Sequence, residues 1–351
     1  MMSMIKNLIF KLSGISLLLG SIAVTWLLMD INQFRNTSIN VSEEGLRYEI
    51  QSGDNLRRVA NKLHMANVID NPRYLVWLGK YKGNANKIKI GEYLFAPGTT
   101  AEQLLNQVVQ GNTIQYAATI VEGVTFRELM VALQQNDALR HTLEGLQPDD
   151  IMARLGYADE HPEGRFLPDT YHFPKGTTDV AFLQRAYNAM QTTLANQWPQ
   201  RDVGLPLNTP YEALILASII EKETAVPSER GAIAGVFVRR LQKKMRLQTD
   251  PTVIYGLGEK FDGNLRRRDL KTDNPYNTYR RHGLPPTPIA MPGVDAIKAA
   301  LHPVEGETLY FVAKGDGSHQ FSATLREHNN AVIKYQLKGK KKSFSSYKAE
   351  K

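Results

Sequence analysis

The spacing of apolar and polar positions along this chain changes several times, and each change predicts a different element. No charge interrupts the apolar run Leu12 to Met29 between Lys11 and Asp30, close to the ~20 residues a helix needs to cross a bilayer core. Lys6 and Lys11 precede it and Asp30 follows, so the positive-inside bias predicts a cytoplasmic N-terminus with everything after Asp30 on the far side. A cleaved signal peptide is the competing reading, with Ser21-Ile22-Ala23 as its small-residue site. The apolar run continues past that site through Val24, Trp26, Leu27, Leu28 and Met29, whereas a cleavage site ends such a run, so the uncleaved anchor is preferred. Residues 1–30 therefore read as a cytoplasmic start and transmembrane anchor, and 31–45, polar without clear period, as a linker.

At Leu46 the pattern becomes that of a strand. Tyr48 to Ser52 alternates, Gly53-Asp54 supplies a turn, and Leu56, Val59, Ala60 and Leu63 take up helical spacing. Ile88 to Leu94 reads as a closing strand and bounds a module at 46–112. The run Tyr48-x-Ile50-x-x-Gly53-Asp54-x-Leu56 resembles the first half of a LysM carbohydrate-binding module, while 71–86 is longer than that pattern. A small packing domain whose Gly53-Asp54 is merely a turn stands beside the glycan-binding reading. Residues 113–205 mix a strand at Ile114–Val121 with helices at Phe126–Leu133 and Val180–Leu194. Between them lies the loop Glu163 to Tyr171, whose polar residues either line a cleft or form a structural turn.

The region 206–337 opens on the most informative helix. Thr209 with Glu212 predicts a capping box, and Pro210 takes the first helical position, where a missing N–H does no harm. From Ala213 to Ile220 the helix is apolar nearly all round, which predicts burial, and it ends in Glu221-Lys222-Glu223. At about 100° per residue Glu223 continues the stripe of Leu216, Ile219 and Ile220, while Glu221 projects beside Leu214 and Ala217. A glutamate continuing an apolar stripe loses hydration, which raises its pKa as a general acid near neutral pH requires. The alternative is two solvated glutamates at a frayed end, pairing with Lys222 or Arg230. A second helix from Ser228 to Met245 returns the chain to Leu247-Gln248-Thr249-Asp250-Pro251-Thr252, followed by Asn274 to Tyr279 and Gly283 to Ile289. Their amides, hydroxyls and aromatic rings suit a sugar. The fold class is α+β: a single transmembrane helix, a small LysM-like module and a larger mixed catalytic region.

Composition narrows this picture. Apolar residues are 42% and charged ones 22% of the 351, an ordinary globular balance with room for two soluble modules. Of the net charge of +8, six lysines against one glutamate between Lys338 and Lys351 contribute +5, so residues 338–351 read as a solvated basic tail and nucleic-acid binding is disfavoured. The absence of cysteine decides nothing. No metal-ligand cluster, phosphate loop or serine triad appears, and neither metal nor cofactor is expected. Lys222 as a Schiff-base lysine for pyridoxal phosphate sits badly with the anchor.

Ala217-Ser218-Ile219-Ile220-Glu221-Lys222-Glu223-Thr224, Leu247-Gln248-Thr249-Asp250-Pro251-Thr252-Val253-Ile254-Tyr255, Tyr276-Asn277-Thr278-Tyr279 and Gly283-Leu284-Pro285-Pro286 together resemble the endolytic murein transglycosylase (MltG) family. The 163–171 loop, Tyr310 to Ala313 and His319 follow that family's order. The resemblance implies cleavage between N-acetylmuramic acid and N-acetylglucosamine within a peptidoglycan strand, leaving a 1,6-anhydro end, with Glu223 as the catalytic acid. It implies a catalytic part outside the inner (cytoplasmic) membrane, in the periplasm, working on nascent strands beside peptidoglycan synthases. Gln248, Asp250, Tyr276, Asn277, Tyr255 and Glu163 are candidate substrate contacts. Asp250 is either a second carboxylate or, preferably, the cap of a helix opening at Pro251. A hydrolysing muramidase and a non-catalytic glycan-binding scaffold are the alternatives.

Overall fold

The computed structural model describes residues 2–337, with side chains from Phe10 onward; the basic tail at 338–351 lies outside the described residues. Its α-helices and short two-stranded sheets give the α+β class expected. Two compact units are present, one up to Tyr116 with Phe173–Gly176 and one formed by Ala117–His172 with the chain from Thr177 onward. The regions 113–205 and 206–337, separate by sequence pattern, thus share the second unit, except for 113–116 and 173–176, which belong to the first.

In the first unit, helix α1 (Met2–Asn36) is long and apolar enough over Phe10–Asn36 to cross a membrane. Leu17, Trp26 and Met29 are exposed on it. The linker expected at 31–45 is corrected. The helix continues to Asn36, Phe34 meets the Tyr74 ring edge-on at 5.6 Å, and Ile39 is buried with its N–H on the Thr99 carbonyl at 2.8 Å. A few apolar residues in a polar string suffice to dock it. Strand β1 (Leu46–Ile50), α2 (Leu56–Met65), α3 (Pro72–Tyr81) and β2 (Gly91–Phe95) then follow, β1 and β2 pairing antiparallel with Tyr48 opposite Tyr93. The length at 71–86 that departs from the LysM pattern holds α3. Helix α4 (Ala101–Gln110), started by a Thr100–Gln103 capping box, completes the core with Leu104, Leu105 and Val108.

Strand β3 (Gln115–Thr119) precedes α5 (Phe126–Gln134), β4 (Leu139–Arg140), α6 (Pro148–Leu155), β5 (Thr170–Pro174), β6 (Thr177–Thr178) and α7 (Asp179–Gln197). The second unit is organised around α8 (Pro210–Glu223), buried at every position from Ala213 to Ile220. Around it pack α7, α9 (Arg230–Gln242) and α12 (Val294–Leu301), through Met190, Leu194, Ile233, Phe237, Ile297 and Leu301. Between them come α10 (Asp250–Leu257) and α11 (Arg267–Lys271). Helix α9 is shorter than the 228–245 expected, because a 3-10 turn occupies Pro227–Glu229 and Lys244 adopts φ +53° beyond its end. The capping box of α8 is half made. Thr209 Oγ1 accepts from the Glu212 N–H, but Glu212 reaches one residue further back, to the Asn208 N–H at 2.6 Å. The chain closes with the antiparallel hairpin β7 (Tyr310–Ala313) and β8 (His319–Ser322), then α13 (Leu325–Tyr335). Arg239 and Arg240 bind the hairpin to α9 through the Thr308 and Leu309 carbonyls, both at 2.7 Å.

Because α8 is enclosed on all sides, truncating it leaves a cavity that neighbours cannot refill. Ile219→Ala is expected to cost about 2–5 kcal/mol in a denaturant titration, against under about 0.5 kcal/mol for a surface change such as Val203→Ala.

Candidate active site

Glu223 is the last residue of α8, half-buried at the point where the helix leaves the core. Thr249 Oγ1 donates a hydrogen bond to its Oε1. Burial pushes the carboxyl up to about 7; Asp250 adds to the rise, while the Thr249 hydroxyl and the charges of His319 and Arg240 oppose it. Glu221, two residues earlier on the other face, is committed elsewhere. It pairs with Arg230 at 3.3 Å and accepts the Gly293 N–H at 2.9 Å. A Cβ at Gly293 would displace the Glu122 carboxylate, whose Oε1 lies 1.8 Å from that position. The pairing with Arg230 foreseen for a frayed end thus belongs to Glu221, and the two carboxylates are not equivalent. Lys222 is exposed and donates to the Gly123 carbonyl at 3.0 Å.

Thr249 is held by neighbours as buried as itself. Its N–H donates to Thr278 Oγ1 at 3.1 Å and its carbonyl accepts from Thr252 Oγ1 at 2.8 Å, with all three threonines at most 2% exposed. Gln248 before it takes φ +52°, a left-handed conformation costing a non-glycine residue on the order of 1–2 kcal/mol. Its side chain is exposed, with Oε1 3.4 Å from Arg240 Nη1. The helix-cap reading of Asp250 is corrected: α10 starts one residue earlier, with Thr249 at the N-cap position and Asp250 already helical. The Asp250 carboxylate is exposed and accepts the Tyr279 hydroxyl at 2.6 Å.

Glu163, Tyr255 and Tyr276 form a second cluster. Glu163 is buried, accepting the Phe126 N–H at 2.9 Å with one oxygen and the Tyr255 hydroxyl at 3.0 Å with the other. Phe126 opens α5, so this carboxyl satisfies an otherwise orphaned helix N–H. Burial pushes Glu163 also to about 7, against those two donors and the Gly164 N–H. As a substrate contact Glu163 is corrected: both oxygens are spoken for inside the protein. The Tyr255 ring meets Tyr276 edge-on at 4.8 Å, and the half-buried Tyr276 hydroxyl pairs with Thr287 at 2.9 Å. Asn277 is corrected likewise. It is 1% exposed, and its amide donates to the carbonyls of Asp269, Leu270 and Thr272. Helix α10 joins the clusters, carrying Asp250 at one end and Tyr255 about 7.5 Å along its axis.

Arg240 was not anticipated. It is 7% exposed, donates to the Leu309, Arg246 and Leu247 carbonyls at 2.7, 3.2 and 2.9 Å, and lies 5.0 Å over the Tyr310 ring. A signal existed: Arg240 continues the stripe of Ile233, Val236 and Phe237 at the same i−7, i−4, i−3 spacing that singles out Glu223. Among the described residues no group of three or more His, Cys, Asp or Glu is arranged to hold a metal.

Around Glu223, then, the second unit builds one carboxyl able to give and take a proton near neutrality, at the edge of a buried helical core. The chain matches the YceG-like family over residues 48–334 and belongs to that family. A Bacillus subtilis (strain 168) protein named endolytic murein transglycosylase is 31% identical over 330 residues, 88% of each chain. A Streptococcus pneumoniae (serotype 2, strain D39) protein of the same name is 28% identical over 82% of this chain and 57% of its own. A crystal structure of a YceG-like protein from Listeria monocytogenes superposes with a TM-score of 0.50 at 30% identity, over 82% of this chain and 99% of that one.

A carboxyl raised from the ordinary glutamate value to about 7 adds stability that is fully present below about pH 4.5 and lost as pH rises through 7. Glu223→Gln removes that loss. It is expected to melt several degrees above the parent at pH 8, the gap closing near pH 4.5 in calorimetry across pH. Thr249→Val deletes the donor opposing the rise, so the Glu223 titration midpoint, read by carbon-13 NMR, moves up by about half a unit to one unit.

Proposed function

We propose that this chain is an endolytic murein transglycosylase, cutting the bond between N-acetylmuramic acid and N-acetylglucosamine inside peptidoglycan strands and leaving 1,6-anhydro ends. The observation that carries the reading is Glu223, whose carboxyl is held near 7 by burial and has Thr249 as its hydrogen-bond partner. The protonated acid gives its proton to the departing glycosidic oxygen as the C1–O bond breaks. The carboxylate so formed takes the proton of the muramic C6 hydroxyl as that oxygen bonds to C1. The acid is regenerated and no water is consumed. Glu163, buried and engaged on both oxygens, and Asn277, with its amide engaged, act as supports. Gln248 and Asp250, both exposed, and the half-buried Tyr276 remain the substrate-contact choices.

Helix α1 anchors the chain in the cytoplasmic membrane with its N-terminus inside, by the positive-inside bias of Lys6 and Lys11. The second unit then works outside, on newly made strands, and the strand–helix–helix–strand module serves glycan binding. A hydrolysing muramidase is the second reading, favoured by one observation: Asp250 puts a second carboxylate into the electrostatic surroundings of Glu223. A hydrolase usually needs such a group roughly 5–9.5 Å away. Digestion of defined strands in oxygen-18 water separates the two. The proposal expects anhydro ends without label and a loss of at least about 100-fold in Glu223→Gln. Labelled reducing ends make the enzyme a hydrolase, and undiminished cleavage by Glu223→Gln overturns the assignment.

A further inference from the structure

Within the first unit, helix α1 meets protein before its apolar run has ended. Its half-buried positions are Leu27, Asp30, Ile31, Phe34 and Arg35, one stripe at i, i+3, i+4, i+7 and i+8. That stripe begins inside the uncharged run, which closes at Met29. At about 1.5 Å per residue, Leu12 to Met29 covers about 27 Å of a ~30 Å hydrocarbon core, and the headgroup layer beyond is roughly 5–8 Å deep. The turn from Asp30 to Phe34 rises about 6 Å and so fills that layer. Beyond it Arg35 pairs with Glu102 of α4 at 3.0 Å, so no free joint separates α1 from the module it carries.

Helix α3 is what α1 meets at this level. The Tyr74 hydroxyl donates to Asp30 Oδ2 at 2.5 Å, and the Tyr74 ring lies 5.6 Å from both Phe34 and Trp77. Tyr74, Trp77 and Tyr81, at i, i+3 and i+7, share one face of α3, turned from the buried Leu75 and Gly79. Trp77 is 43% and Tyr81 89% exposed. Arg73 and Lys80 beside them are exposed too, and α3 carries no acidic residue. Tryptophan and tyrosine gather at membrane interfaces, where the ring takes apolar chains and its polar edge stays wet, and basic side chains suit anionic headgroups. Stacking on a sugar would also employ such rings, but it gives no reason for Tyr74 to be tied to the first charge after the apolar run.

We propose that the Tyr74, Trp77 and Tyr81 face of α3 is a membrane-docking surface, seated in the phospholipid headgroup layer beside the Asp30 end of α1. It holds the first unit against the bilayer instead of leaving it on a tether. This rests on reading α1 as the membrane anchor. The test reconstitutes the full chain into vesicles of phosphatidylcholine with a quarter phosphatidylglycerol, with and without lipid brominated at the headgroup end of its chains. Subtracting the emission of Trp26→Phe/Trp77→Phe from that of Trp26→Phe isolates Trp77. Bromine is expected to quench most of this Trp77 signal. Equal Trp77 signals in plain and brominated vesicles overturn the proposal. So does a signal that answers to added soluble glycan strands and not to bromine, which makes the face a sugar platform. Should Trp77→Phe fail to fold, a nitroxide on Tyr81→Cys, unique because the chain has no cysteine of its own, decides instead. Faster collision with oxygen than with a water-soluble nickel complex is expected there, and the reverse order overturns the proposal. Trp26, isolated by subtracting Trp26→Phe from the parent, keeps the two readings apart. An unquenched Trp26 sinks the anchor, whereas a quenched Trp26 beside an unquenched Trp77 sinks this inference alone.

Discussion

Helix α8 has no polar side, and most of what the second unit does follows from having to enclose it. Eight consecutive buried residues, whose leucines and isoleucines each contribute about 1.5–3 kcal/mol when taken from water, leave α7, α9 and α12 little freedom in where they pack. The same enclosure delivers the last turn of the helix to the edge of the core. A carboxylate arriving there loses hydration, and Glu223 responds by holding its proton toward neutral pH. Core formation and acid chemistry are therefore one packing problem.

What surrounds the acid limits how far burial can push it. Thr249, kept in place by Thr252 and Thr278, offers a hydroxyl whose position is set before any substrate arrives. Arg240 brings a cation into the same region at a cost in desolvation, offset by its hydrogen bonds to three backbone carbonyls. Glu221 shows the other outcome for a carboxylate on this helix: with Arg230 and the Gly293 N–H it is a structural brace. Two residues of spacing, which turn the side chain by about 200°, separate these fates.

A second carboxyl raised to about 7, Glu163, shows why a perturbed pKa alone does not define a catalytic group. Its oxygens cap α5 and hold Tyr255. Glu163 thereby ties the 163–171 loop to α10, the helix whose other end begins beside Glu223. Gly164 fits the same junction, since a Cβ there would come within 2.5 Å of Pro288.

Periodicity alone identified the apolar N-terminal helix, β1, α2, α5, α7 and α8, because each has a pattern that local geometry must respect. It also pointed to Glu223 through the stripe of Leu216, Ile219 and Ile220, and the same stripe logic, applied to Ile233, Val236 and Phe237, would have found Arg240. Family resemblance in the Glu223 and Thr249 segments supplied the chemistry. Partnership belongs to the tertiary structure: which glutamate meets Arg230, whether Asp250 caps a helix or accepts from Tyr279, that Asn277 and Glu163 face inward, and that Glu229 meets His319 across 90 residues of chain. Hydrophobic spacing records which side of a helix avoids water, a property of neighbours a few residues apart. Hydrogen-bond and charge partners are chosen by distances in space between segments far apart in sequence, and those distances exist only once the core around α8 has closed.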